Sequence, residues 1–188
     1  MDIYTITNSV ILKTLCKFNS KQLFTISTTQ LNKILLNNND LAAGCKNTNF
    51  GIFDIEIGIQ KWQAKAYPRD DLNLEQKVDV VDLKYVDRDV YYNLSVFNRI
   101  YKYDTRVQRK ESSDFDTKLD PEFSTTCFDI KENMLAVANN IGSINLFDIR
   151  NTKNVLKKFV DHEGSIKDIK FHSNEPKLIT GKLNRLLR

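Results

Sequence analysis

Short apolar segments, polar turn residues between them and a recurring aromatic–aspartate ending predict an all-β domain. Strand-like pieces recur at Leu35-Leu36, Leu41-Ala42-Ala43, Ile52-Phe53-Asp54-Ile55, Ile100-Tyr101-Lys102-Tyr103, Leu135-Ala136-Val137-Ala138 and Ile144-Asn145-Leu146-Phe147. Asn, Gly, Asp and Ser separate them, the residues expected of tight turns between antiparallel strands. Helical periodicity is weak throughout, so no segment requires a helix.

The recurring ending is the most informative of these signals. Gly51-Ile52-Phe53-Asp54-Ile55, Tyr101-Lys102-Tyr103-Asp104-Thr105-Arg106 and Asn145-Leu146-Phe147-Asp148-Ile149-Arg150 each close an alternating strand on an aspartate, and the aspartates lie 50 and 44 residues apart. A period of about 40–45 residues, four strands per unit and an aromatic-Asp ending is the signature of a WD-type β-propeller blade. Phe or Tyr stands where Trp is usual. The aromatic is expected to pack against a neighbouring blade while the Asp turns the chain into the next strand. Leu41 to Asp54 and Leu135 to Asp148 both fit the pattern L-A-S-G-S-x-D-x-T-I-R-L-W-D without a gap. The stretch from His162 to Arg188 reads as the opening of a further repeat, with Ile166, Ile169 and Phe171 alternating inward. In such blades His, Ser/Thr, Asp and Trp form a buried hydrogen-bonded network, and His162, Thr180 and Asn184 would be its partial version, with His162 structural. Asn184 in place of Asp weakens it, because a charged acceptor is lost.

The predicted fold is therefore an incomplete WD-repeat β-propeller. At about 43 residues per blade, the 188 residues supply about four to four and a half blades of a presumed seven-bladed ring. The expected divisions are a blade remnant at 1–20, blades at about 21–60, 75–110 and 120–160, an incomplete blade at 161–188 and an inter-blade linker at 61–74. Tyr4 to Leu12 reads as second and third strands lacking a first. On this reading the chain is part of a larger ring, with bare strand edges and poor solubility in isolation.

Composition narrows the function classes. With 41% hydrophobic residues, 6 Gly and 3 Pro, a collagenous or disordered chain is excluded. No apolar run approaches the roughly 20 residues that a bilayer demands. Met1 to Lys13 lacks the basic and apolar regions of a secretory signal. Cys16, Cys45 and Cys127 stand far apart with no C-x-x-C pair, which points to reduced, partly buried thiols in a cytosolic or nuclear setting. The 19 Asn residues, Asn37-Asn38-Asn39 among them, fit codon bias in an AT-rich genome. The net charge of +4 is confined to the second half, and Arg150 to Arg188 carries 10 basic and 4 acidic residues. These residues either contact phosphates or keep strand edges and turns soluble.

Catalytic and ligand motifs are missing. There is no G-x-S-x-G elbow, and no His is placed to activate Cys16, Cys45 or Cys127. Gly181-Lys182 is followed by Leu183, and Pro176 stands where a P-loop needs its first Gly. His162 and His172 have no cysteine nearby, against a zinc site. Asp87/Asp89 and Asp114/Asp116 read as solvated turn charges rather than general acids or bases. The expectation is a protein that is not an enzyme, with no cofactor, metal, small-molecule substrate or membrane.

Two segments carry a more specific likeness. Trp62-Gln63-Ala64-Lys65-Ala66-Tyr67-Pro68-Arg69-Asp70-Asp71-Leu72-Asn73-Leu74 and Tyr103-Asp104-Thr105-Arg106-Val107-Gln108-Arg109 resemble the family of WD-repeat nucleolar factors of large ribosomal subunit assembly, known in animals as WD repeat-containing protein seventy-four. The family carries A-K-N-x-x-N-D-x-L-D-L after one blade and a Y-D-x-R-x-Q-R-R-like ending on the next. Its closing repeat is similar to Gly164-Ser165-Ile166 through His172 to Leu178 and on to Leu183-Asn184-Arg185-Leu186-Leu187-Arg188. The likeness runs in order from about Leu31 to Arg188, and more faintly over Ile3 to Ile26. Ala66, Asn73 and Ser173 depart from it, and the amide of Asn73 cannot make a carboxylate contact.

The resemblance implies a non-enzymatic scaffold of ribosome biogenesis and rRNA processing in the nucleus and nucleolus. It would join the large-subunit precursor particle, bind its assembly factors, contact rRNA and be released by an AAA-type ATPase. Lys65, Arg69, Asp70, Leu72 and Leu74 in the linker, with Arg106, Arg109 and Lys110 after the blade ending, are the partner-binding candidates. The alternative is a generic WD-repeat interaction adaptor, such as a ubiquitin-ligase or chromatin scaffold.

Overall fold

The computed structural model describes residues 2–7, 10–15, 19–25, 31–46, 49–65, 73, 79–107, 111–160 and 164–183, those before residue 31 by their backbone alone. The described residues are organised as β-strands joined by turns. By contact density the chain divides into two compact units, Met1–Val80 and Val81–Arg188.

In the first unit, β1 (Asp2–Thr7), β2 (Val10–Leu15) and β3 (Asn19–Thr25) form an antiparallel sheet in the order β1-β2-β3. A second sheet follows from β4 (Leu31–Asn37), β5 (Asp40–Cys45), β6 (Gly51–Asp54) and β7 (Gln60–Gln63), each paired with the next. The β4–β5 hairpin turns at Asn38 with φ 54°, a left-handed conformation that Asn tolerates better than most residues. Leu41, Ala43, Cys45 and Ile55 form the buried core of this sheet, with Leu31, Ile34 and Phe53 packed against them.

The second unit holds two four-stranded sheets and a hairpin. β8 (Val80–Asp87), whose first residue is the last of the first unit, β9 (Val90–Ser95), β10 (Arg99–Asp104) and β11 (Ser113–Asp116) make the first sheet. β12 (Thr125–Lys131), β13 (Met134–Asn139), β14 (Ile144–Asp148) and β15 (Lys157–Phe159) make the second, and β16 (Ser165–Phe171) pairs with β17 (Leu178–Leu183). Strand β13 is buried on both faces, which is why Leu135-Ala136-Val137-Ala138 is apolar without alternation. Leu135 and Val137 join Tyr92, Leu94, Ile100, Phe128 and Phe147 in one cluster. Ala136 and Ala138 face Cys127, Ile144, Ile166 and Ile169 in another, where small side chains admit close approach of the β16–β17 hairpin.

Strand limits differ from the expected blade divisions in three places. Asn19–Thr25, which straddles the expected remnant and first blade, pairs with β2. Gln60–Gln63, at the head of the expected linker, is instead the fourth strand of its sheet. Trp62 pairs there with Ile52 and sets its ring 5.5 Å from that of Phe50. Ser113–Asp116, beyond the expected end at 110, completes the β8–β11 sheet by pairing with β10.

Candidate functional site

Each recurring aspartate closes the third strand of a four-stranded sheet, and its carboxylate organises the turn that follows. Asp54 Oδ1 accepts the backbone N–H of Glu56 at 2.8 Å, Asp104 Oδ1 that of Arg106 at 3.1 Å and Asp148 Oδ1 that of Arg150 at 2.9 Å. This side-chain mimicry of a backbone turn is what Asp does well and what an apolar residue cannot do. Two of the turns add a guanidinium clamp. Arg106 donates through Nε and a terminal nitrogen to Asp104 at 3.0 and 2.8 Å, and Arg150 does the same to Asp148 at 2.9 and 2.6 Å. Glu56 occupies the arginine position of the β4–β7 sheet, and Lys61 reaches from β7 to supply the cation, 2.7 Å from both Asp54 and Asp40.

The arginine beside each of Asp104 and Asp148 holds its carboxyl at about 2, against an ordinary value of 3.8. A carboxylate with a depressed folded-state value contributes stability above 3.8 and loses it as pH falls toward 2. Carboxyl carbon titration by NMR is expected to show both groups still ionised at pH 3. In Arg106→Ala, Asp104 is expected to move back toward 3.8 while Asp148 stays in place. An unmoved Asp104 would refute the clamp.

A second polar constellation links the first strands of the second unit. Asp82, fully buried, accepts the N–H of Leu83 at 2.9 Å and that of Phe128, on β12, at 3.3 Å. Asp129, also buried, repeats the device one sheet on, its Oδ2 accepting the N–H of Phe171 on β16 at 2.9 Å. Lys84 and Lys170 flank its other oxygen at 3.6 and 3.4 Å. Burial pushes the Lys84 ammonium below its ordinary value. Burial likewise pushes the Cys127 thiol up to about 11, leaving it protonated and inert at neutral pH. These groups act structurally by fastening adjoining sheets at their first strands.

The sequence-predicted candidates are dispersed. Lys65 is exposed just past β7, next to buried Ala64, whose N–H donates to Phe50 at 2.9 Å. Arg106 is exposed, yet its guanidinium is engaged with Asp104. Thr180 is half-buried on β17, opposite Ile169. Arg69, Asp70, Leu72, Leu74, Arg109, Lys110, His162 and Asn184 lie outside the described residues. Of the basic C-terminal stretch, Lys157 rests its ammonium over the Phe159 ring at 4.9 Å and Lys177 pairs with Glu175 at 2.5 Å. His172 Nδ1 accepts the N–H groups of Asn174 and Glu175, at 3.3 and 3.1 Å, and so shapes the β16–β17 turn. Asp114 pairs with Arg99, and Cys45 and Cys127 are buried thiols outside any disulfide. Among the described residues no three His, Cys, Asp or Glu side chains converge as a metal site would require.

Sequence reasoning missed the Asp-x-Arg clamps, although the signal stands twice in the sequence at Asp104-Thr105-Arg106 and Asp148-Ile149-Arg150. It also missed the Lys84–Asp129–Lys170 array, whose members lie more than 40 residues apart.

A WD repeat-containing protein of Dictyostelium discoideum is 34% identical to the chain over 153 residues, covering 80% of this chain and 30% of that relative. The chain thus spans less than a third of that relative's length. A chain of the mitotic checkpoint complex superposes with a TM-score of 0.76 at 13% identity, covering 96% of this chain and 55% of the other. The computationally designed protein Ika8 gives 0.65 at 12% identity, with 95% and 54% covered. No family model matches the chain. Together with the four-stranded antiparallel sheets, these likenesses identify the fold as a WD-repeat β-propeller, as the aromatic-Asp period predicts.

Proposed function

We propose that this chain, built on the fold of the WD-repeat β-propellers, is a non-enzymatic interaction scaffold that acts in assembly of the large ribosomal subunit and in rRNA processing. The observation that carries the reading is the likeness of Trp62 to Leu74 and of the closing repeat, Gly164 to Arg188, to the nucleolar assembly-factor family. A propeller suits the task because rigid sheets hold several loops in fixed positions and so engage several partners at once. The partners are the large-subunit precursor particle and its assembly factors, with rRNA contact and an AAA-type ATPase for release, and the compartment is the nucleolus. Exposed Lys65 and the linker beyond it supply the charged contacts, which set orientation and on-rate more than affinity.

Epitope-tagged protein is expected to sediment with large-subunit precursors and to co-purify their assembly factors, and charge reversal at Lys65 with Asp70 is expected to weaken that association. Exclusive recovery with an unrelated complex overturns the reading. The second reading, a generic WD-repeat adaptor, is favoured by the Dictyostelium relative, whose name speaks of WD repeats alone. It expects partner binding insensitive to changes at Lys65, Asp70 and Leu72.

A further inference from the structure

The β16–β17 hairpin holds two strands where the sheets before it hold four. β17 pairs with β16, and among the described residues nothing pairs with its other edge. Beside that edge lies a recess of about 750 Å³, lined by Ile144 and Leu146 of β14, Phe159 of β15, and Phe171 and Leu178 of the hairpin. Ile144 is fully buried, whereas Leu146, Phe159, Phe171 and Leu178 are covered only in part. On the strand itself Ile179 and Leu183 stand 55% and 57% exposed. An unpaired edge next to apolar side chains is a template for strand addition, in which the ladder gives affinity and the recess gives selectivity.

The preceding pair of sheets shows what such a space takes. There the third strand, β14, pairs with β13 and sends Phe147 across to Tyr92, Leu94 and Ile100 of the β8–β11 sheet. A segment laid along β17 as β14 lies along β13 would send alternate side chains over Leu146 and Phe159, and an aromatic in that row fits the recess. Charge defines the other row. Lys131 and Lys157 line the recess, and Lys182 is exposed on β17. Lys131 donates to the carbonyls of His172 and Ser173, and Lys157 rests over the Phe159 ring, so among the described residues no carboxylate pairs with either. Lys177 is matched by Glu175, which leaves Glu132 as the other acid of the lining. The surplus of cations favours carboxylates on what binds. A second copy pairing its own β17 antiparallel here would bring its β12–β15 sheet onto the face that β14 and β15 already occupy, so a bare extended segment fits best. We propose that the open edge of β17 accepts a strand donated in trans by a partner polypeptide, one that alternates apolar and acidic residues and sets an aromatic side chain in the recess over Leu146 and Phe159. The site shares no residue with Lys65 and the linker and does not depend on the ribosomal reading.

The test is an amide NMR titration of the 188-residue chain with the blocked peptide Glu-Val-Glu-Phe-Asp-Ile-Glu, with light scattering of the free chain alongside. The expected result is a monomeric free chain, saturable shifts at Leu146, Phe159 and Ile179 to Leu183, and slower exchange of the β17 amides in the complex. Alanine in place of the peptide's Phe is expected to weaken binding about tenfold. Proline there, which removes a ladder donor, is expected to abolish it, and lysines in place of its acids are expected to weaken it as well. In the protein, Leu146→Ala is expected to weaken binding severalfold, and so is Lys157→Glu, whose exposed position leaves the rest of the spectrum unchanged. No saturable shift along β17, equal binding of the alanine or proline peptide, undiminished binding by both variants, or a dimer of the free chain that already protects the β17 amides overturns the assignment. Sedimentation with ribosomal precursors is a separate readout, so the two proposals fail independently.

Discussion

Phe147→Ala is expected to remove about 3–5 kcal/mol from the stability of the second unit, the usual cost of emptying a fully buried aromatic site. Phe147 sits on β14 with no exposed surface, inside the cluster that joins its own sheet to the β8–β11 sheet. Tyr92, Leu94 and Ile100 meet it from that neighbouring sheet, and its ring lies 5.9 Å from the Phe115 ring at 60°, a tilted aromatic pairing. The residue before the turn-forming Asp148 thus fills the space between two sheets, which is why the aromatic and the aspartate recur as a pair. The substitution deletes a large apolar side chain and leaves a void that rigid strands on both sides cannot close. Phe147→Leu keeps most of the volume and is expected to cost about 1 kcal/mol. Amide exchange across β12 to β14 under increasing denaturant measures both variants. Trp62 emission does not serve, because Trp62 belongs to the first unit. A domain holds about 5–15 kcal/mol in all, so the alanine variant is expected to lose a large share of its stability. A loss under about 1 kcal/mol would mean that the inter-sheet cluster is not the source of cohesion.

The residues explain what could be read from the sequence. The third strands were legible because an inward aromatic, fully buried at Tyr103 and Phe147 and half-buried at Phe53, precedes a carboxylate committed to the next turn, so Phe53-Asp54, Tyr103-Asp104 and Phe147-Asp148 recur at fixed places. Strand β13 was legible because burial on both faces demands an apolar run. The outer strands β7 and β11 were not. Gln60-Lys61-Trp62-Gln63 and Ser113-Asp114-Phe115-Asp116 each carry a single large apolar residue that faces inward, and the rest is solvated, so neither shows the alternation that marks a half-buried strand. The array around Asp129 was hidden for a different reason. Lys84, Asp129 and Lys170 look like scattered surface charges along the chain, and only the alignment of three first strands brings them within 4 Å of one another.

Asp129→Ala is expected to be nearly as damaging as the loss of Phe147, at about 3 kcal/mol, because it leaves a backbone donor without its acceptor and a partly buried ammonium with one counter-charge fewer. The carboxylate is the acceptor for the Phe171 N–H at 2.9 Å and lies 3.6 Å from the ammonium of Lys84, whose side chain is only 13% exposed. With the carboxylate gone, Phe171 loses its acceptor, and Lys84 loses one of the two anions, Asp82 and Asp129, that offset its desolvation. Lys170, half exposed, loses little because water replaces its partner. The variants separate these contributions. Asp129→Asn keeps an acceptor for Phe171 but removes the charge, and is expected to lose about half as much. Adding Lys84→Met to Asp129→Ala removes the less well compensated ammonium and is expected to recover about 1 kcal/mol. The pH dependence provides an independent check. A lysine whose folded value is depressed binds fewer protons folded than unfolded, so stability rises with pH from that depressed value up to the ordinary 10.5. Loss of Asp129 depresses Lys84 further, so the single variant is expected to recover part of its deficit between pH 7 and pH 10. The double variant, lacking the ammonium, is expected to show no such gain. Equal denaturation midpoints for the single and double variants across that range would show that Lys84 is paired elsewhere, and would leave the Phe171 N–H as the whole of the effect.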